Sequence, residues 1–283
     1  MRKVFLPIFL VVCYLSPVLA HKSDRPAKGN LFIIGGGKRS QELMQSMLAT
    51  AQLTPKDYIV VLPMSSAEPD SAYYYFKISV DKLCTNAIAN LDFTPEKVHD
   101  KVWLDSLRHA KLIFIAGGDQ SRFMQSVLNT PVYTEIHNAY ENGATIAGTS
   151  AGAAVMSKFM ITGKELVGDT SYNASFTKLR ANNLDLRPGL GLVDSAIVDQ
   201  HFIVRSRYNR LLSALARFPA FPCIGIDEAT AIIIRGDKAT VAGDSQVIVF
   251  RNPKGLRVTD KGLIKFSDLQ MSVYTAGDSF RCK

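Results

Sequence analysis

The chain has 283 residues with 33 lysines and arginines against 25 acids, a formal charge of +8, and 47% hydrophobic residues. That apolar share builds a sizeable core and excludes a disordered chain. The basic residues are dispersed without aromatic interleaving, which argues against a nucleic-acid-binding surface and leaves at most a mild preference for acidic or polyanionic substrates.

Residues 1 to 20 read as a secretory signal peptide. Arg2 and Lys3 precede the apolar Val4–Leu15 run, and Ser16-Pro17-Val18-Leu19-Ala20 ends with small residues at the positions a signal peptidase reads. The run is shorter than the roughly 20 residues that span a bilayer, so no stable membrane anchor is expected after removal of the leader. The mature protein is then secreted or periplasmic. Loss of Arg2 and Lys3 lowers its charge from +8 to +6.

Residues 21–283 read as one α/β domain. Leu31–Ile34 is an apolar strand ending in Gly35-Gly36-Gly37. Ser40–Leu48 has helical spacing, Tyr58–Leu62 is a buried strand ending at Pro63, and Ala72–Cys84 is a helix. Trp103–Ala110 is a short helix, and Leu112–Ala116 is a strand running into Gly117-Gly118-Asp119-Gln120. Helices follow over Phe123–Leu128 and Val132–Asn142, then the strand Ala144–Ala147 and a helix starting over Ala153–Met156. Strand–loop–helix repeats with uniformly apolar strands predict a mostly parallel sheet with helices on both faces. Residues 162–190, polar and weakly periodic, read as a long loop or lid over the active edge. Thr230–Ile234, Ala239–Val241 and Gln246–Phe250, split by Gly-Asp pairs, read as an antiparallel hairpin extension of the same sheet near the C-terminus.

Ligands of such sheets gather at the carboxyl ends of the strands, where Gly35–Gly37, Gly117–Gln120, Gly148–Ser150 and Asp199–His201 all fall. Gly148-Thr149-Ser150-Ala151-Gly152 has the strand–turn–helix layout of a nucleophile elbow, with Ser150 at the turn. Taken alone, Ser150 would serve equally as a helix N-cap. His201 is the leading base, and the backbone N–H groups of Ala151 and Gly118 are the candidate oxyanion donors. A histidine base predicts a rate that falls on acidification through about pH 6 to 7. Asp227 and Glu228 close a strand beginning near Ile224; they point to opposite faces, so only one orients His201, and the pattern favours neither. Arg205, Arg207 and Arg210 follow on an expected helix and suit carboxylate recognition. Gly35-Gly36-Gly37-Lys38 lacks phosphate-loop spacing and reads as a turn lining the site. Cys84, Cys223 and Cys282 remain after the leader, with no CxxC pattern; a buried free Cys223 is expected, and no metal site.

Together, Gly117-Gly118-Asp119-Gln120, Gly148–Ala153, Asp199-Gln200-His201-Phe202 with the three arginines, and Gly225-Ile226-Asp227-Glu228 resemble the cyanophycinases. These serine peptidases are related to the α-aspartyl dipeptidases, with a fold like class I glutamine amidotransferases. The resemblance runs over roughly residues 30 to 280. It implies hydrolysis of β-linked aspartyl-arginine units, in a polyaspartate-type polymer or peptide, through an acyl-enzyme. Ser150 would be the nucleophile, His201 the base and Glu228 the orienting carboxylate. Gln120, Asp199, Gln200, Arg205, Arg207 and Arg210 would line the substrate pocket, the arginines holding a free carboxylate. The resemblance implies no cofactor and suggests homodimers. Pro63-Met64-Ser65-Ser66 and the 162–190 segment depart from the family pattern.

Overall fold

Five short strands with apolar side chains on both faces form the centre of the molecule. In a computed structural model, which describes residues 27–168 and 175–282, β1 (Asn30–Ile34), β2 (Tyr58–Leu62), β3 (Ala87–Asn90), β4 (Leu112–Ile115) and β5 (Thr145–Thr149) pair in parallel in the spatial order β1-β5-β4-β2-β3. Alternation along β1 divides the core. Phe32 and Ile34 face α1 (Gln41–Ala51) and α2 (Pro69–Val80), where Phe76 stacks on Phe114 of β4 at 4.1 Å. Leu31 and Ile33 belong to the opposite face with α4 (Gln120–Val127) and α5 (Pro131–Glu141). On that side α3 (Lys101–His109) also contributes the buried Leu107. Period-2 apolar residues on both faces are what a doubly covered parallel sheet requires.

Local chemistry sets the helix starts. Ser40 caps α1 through Leu43 N, Asp100 caps α3, and Asp119 caps α4 by accepting from Ser121 N and Arg122 N. α2 starts at Pro69, three residues before the expected Ala72, because proline suits the first helical turn.

Past β5 the structure departs from expectation in three places. The helix expected to run on through Met156 is a single turn, α6 (Ala151–Ala154). The chain then enters β6 (Phe159–Glu165), which pairs antiparallel with β7 (Leu184–Pro188). The segment read as a loop over 162–190 thus contains strand; its polar residues serve that pairing, as Asn183 bonds Leu166, Val167 and Glu165. Residues 169–174 of the expected lid, and all of the expected leader, lie outside the described residues.

The second departure concerns the C-terminal strands. β10 (Thr230–Arg235) and β11 (Lys238–Gly243) do extend the main sheet antiparallel beyond β1. However, β12 (Val247–Lys254) joins a separate four-stranded sheet. That sheet contains β8 (Ile197–Gln200) parallel to β9 (Cys223–Ile226), and β15 (Asp268–Tyr274) at its edge. Two minor strands, β13 (Arg257–Val258) and β14 (Ile264–Lys265), pair with each other, and β16 (Ser279–Arg281) closes the main sheet beside β11. Strand composition is local, whereas the choice of sheet is decided by burial. Val247 and Val249 of β12 pack with the main core while Ile248 and Phe250 pack under α7 (Tyr208–Arg217).

The third is the helix expected to carry all three arginines after His201. α7 begins only at Tyr208, and residues 202–207 are consecutive turns. No helix among the described residues is long and apolar enough to cross a membrane.

Candidate active site

β5 delivers Ser150 at the carboxyl edge of the main sheet in a conformation few L-residues adopt, φ 53° and ψ −108°. Such a backbone persists only where its surroundings fix it. Here the Ser150 N–H donates to Ile34 O at 3.0 Å, and the Ser150 carbonyl accepts from Ala153 N and Ala154 N. The side chain makes no capping bond to α6. Its Oγ instead lies 2.8 Å from Nε2 of His201.

His201 arrives from the other sheet, one residue past β8. Its N–H donates to Gly35 O at 2.7 Å, tying the end of β8 to the end of β1. The imidazole lies directly over Gly36. A Cβ built there would fall 2.3 Å from Cε1 of the ring, and Gly36 has φ +118°, so both space and conformation demand glycine. Sequence reasoning placed Gly35–Gly37 as a turn lining the site; the close approach of the ring is what it could not see.

Both candidate acids lie past the end of β9, in the turn to β10 rather than on a strand, and they take different partners. Glu228 Oε1 lies 2.5 Å from His201 Nδ1. Asp227 accepts from Ile203 N at 3.0 Å, Val204 N at 3.1 Å and Ser245 Oγ at 2.8 Å. It thereby holds the turns after His201 without touching the ring. With Glu228 accepting from Nδ1–H, the Nε2 lone pair of neutral His201 faces the Ser150 hydroxyl. Burial pushes the His201 pKa below its ordinary value. The Glu228 hydrogen bond opposes this, and the charges of Arg205 and Arg207 add to the lowering.

Two backbone donors complete the arrangement. Among the described residues neither Gly118 N–H nor Ala151 N–H has an acceptor. Gly117 passes against Ser150, so that a Cβ on it would lie 3.5 Å from Cβ of Ser150.

The expected pocket residues divide. Asp199 and Arg210, each 1% exposed at the side chain, form a buried pair through Nε–Oδ2 at 2.6 Å and a second bond from Nη2 to Oδ1. Arg207, equally buried, donates to the Gln200 carbonyl at 2.6 Å and to its Oε1 at 2.7 Å, with Asp199 at 3.8 Å. Gln120 uses its amide nitrogen on the carbonyls of Ile161 and Thr162 in β6. Asp199 and Arg210 are therefore built into the wall, contrary to the expectation that all three arginines face a ligand: the fork of Arg210 is engaged by Asp199. Arg205 alone of the three is exposed.

Cys84 and Cys223 are free thiols, and burial pushes the Cys223 thiol far up. Among the described residues no three His, Cys, Asp or Glu side chains gather to hold a metal.

Comparison with known proteins bears on this geometry. The model of peptidase family S51 matches residues 31–242. The cyanophycinase of Trichormus variabilis (strain ATCC 29413 / PCC 7937) is 31% identical over 274 residues, covering 93% of this chain and 88% of that protein. A probable alpha-aspartyl dipeptidase of Drosophila melanogaster is 25% identical over 172 residues, 60% of this chain and 69% of that protein. Among solved structures, a peptidase from an acI-B1 Actinobacterium superposes with a TM-score of 0.63 at 22% identity, over 89% of this chain and 96% of that one. That likeness speaks for the fold.

Proposed function

This chain belongs to peptidase family S51 and is a serine-type peptidase; on that premise we propose that it is an exported exopeptidase cleaving β-aspartyl peptide bonds by way of an acyl-enzyme on Ser150. The observation that carries the reading is the unbroken relay Ser150–His201–Glu228, with contacts of 2.8 Å and 2.5 Å between groups supplied by two different sheets.

In the proposed reaction, Ser150 Oγ attacks the scissile carbonyl as its proton passes to His201 Nε2. Glu228 keeps the ring in the required tautomer and balances the imidazolium charge. The oxyanion is received by the N–H groups of Ala151 and Gly118. Protonated His201 then gives its proton to the leaving amine. Water repeats the sequence in reverse roles, releasing the acid and restoring Ser150. Arg205, the exposed guanidinium beside His201, is the group proposed to meet the free carboxylate of the aspartyl unit.

The substrate assignment rests on the cyanophycinases among the relatives, which align over nearly the whole chain. A second reading, cleavage of short isoaspartyl or α-aspartyl dipeptides, is favoured by the dipeptidase relative. Mass spectrometry of the products from cyanophycin and from a dipeptide panel separates the two. Release of β-Asp-Arg from the polymer is the expected result, and cleavage of dipeptides with intact polymer would shift the substrate to the second reading. Export rests on the Arg2–Ala20 pattern, and the N-terminal residue of the protein recovered outside the cytoplasm is expected to be His21. Recovery of protein beginning at Met1 in the cytoplasm would refute it.

A further inference from the structure

Ser65 stands at the carboxyl end of β2, outside the relay, and is fully buried. Its single hydroxyl proton is shared between two consecutive carbonyls of the loop after β4, Ala116 O at 2.6 Å and Gly117 O at 3.1 Å. Its own carbonyl accepts from Asp119 N at 2.8 Å and from Nη1 of Arg122 at 3.2 Å. One residue therefore grips the loop on both sides of Gly118. The contact is so close that a Cβ on Gly118 would fall 2.1 Å from Ser65 O, and Gly118 has φ +141°.

We infer that Ser65 is a positioning residue that sets the direction of the Gly118 N–H as oxyanion donor, an inference that rests on the acyl-enzyme reading above. The reason is the planarity of the trans peptide. The Gly117 carbonyl and the Gly118 N–H belong to one rigid unit and point in opposite directions. Anchoring the carbonyl on Ser65 Oγ turns the N–H to the far side of the loop. The chain there runs against Ser150, and the N–H has no acceptor among the described residues. Two glycines in succession leave the peptide free to flip. Without an anchor the same loop would also populate the inverted plane, which presents a carbonyl oxygen to a developing negative charge. Preorganisation of such donors is what makes an oxyanion hole effective.

The test uses the full mature protein and a fluorophosphonate probe, which reports on Ser150 whatever the natural peptide is. Ser65→Ala is expected to slow labelling of Ser150 by about 10- to 100-fold, as misplacement of one donor costs, and to lower kcat on cyanophycin while KM stays within about twofold. The acid limb of the labelling rate should not move, because the His201–Glu228 contact is untouched. Ser65→Cys, nearly isosteric but a weaker donor, should fall between wild type and Ser65→Ala, and it carries the test alone if Ser65→Ala does not fold. Labelling of the folded variant within about twofold of wild type, a loss confined to KM, or a displaced acid limb would overturn the inference. If the wild type itself is not labelled at Ser150, the acyl-enzyme reading fails first and the inference with it. Wild-type labelling with an equally reactive Ser65 variant removes the inference alone.

Discussion

At the residue scale the site turns on the protonation of one imidazole. His201 must be neutral to accept the Ser150 proton, so the rate falls as pH drops through its pKa. Burial lowers that pKa, with Arg205 and Arg207 adding to the effect against the Glu228 hydrogen bond. The midpoint of the acid limb in kcat/KM is therefore expected below the ordinary histidine value of about 6.5. Arg205→Gln removes a nearby positive charge and should move the midpoint upward. An unchanged or lower midpoint in a pH–rate profile would contradict the assignment of the cause. The choice between Asp227 and Glu228 also belongs to this scale. Alternation along a strand led to the expectation that only one faces the ring, but both acids lie in the turn after β9, and which one does so depends on Ile203 and Val204, whose N–H groups claim Asp227 from 24 and 23 residues away. No local pattern carries that information.

At the element scale the buried arginines behave differently from their sequence reading. Arg210 projects from α7 onto Asp199 of β8, both at 1% side-chain exposure. Removing one member of such a pair leaves an uncompensated buried charge. Arg210→Leu is expected to lose about 3–5 kcal/mol of unfolding free energy in denaturant titration. A variant of wild-type stability whose KM alone rises would instead restore Arg210 as a ligand for substrate. The mirror case is Gly36→Ala, whose Cβ would overlap the His201 ring. The ring must give way, and kcat is expected to fall by about 10² or more; wild-type kcat in that variant would dispute the packing. The strands here were legible from composition, since runs such as Tyr58–Leu62 and Leu112–Ile115 are apolar throughout. The length of α6 was not, because Ala153–Met156 is compatible with a longer helix. It ends where Lys158 N bonds Val193 O and the chain turns into β6.

At the scale of the whole molecule, Ser150, His201 and Glu228 meet because two sheets meet. Ser150 ends a strand of the main sheet, His201 follows a strand of the second, and Glu228 lies in the turn that passes from the second sheet back to the first. The gathering of motifs at strand ends was readable from the sequence, since the carboxyl edge of a parallel sheet is where ligands bind. That two sheets share the work was not, because β9 is as apolar as the central strands and nothing local marks which sheet β8 and β9 join. Ser65 escaped notice as a working residue for the same reason: its partners lie 51 and 52 residues away. The most direct test of the account is kcat for Ser150→Ala against wild type, on the substrate the wild type cleaves fastest. A serine nucleophile in an intact relay predicts a fall of roughly four to six orders of magnitude, with a residual rate left by the oxyanion donors and binding. Hydrolysis by folded Ser150→Ala at the wild-type rate would contradict the account at its centre.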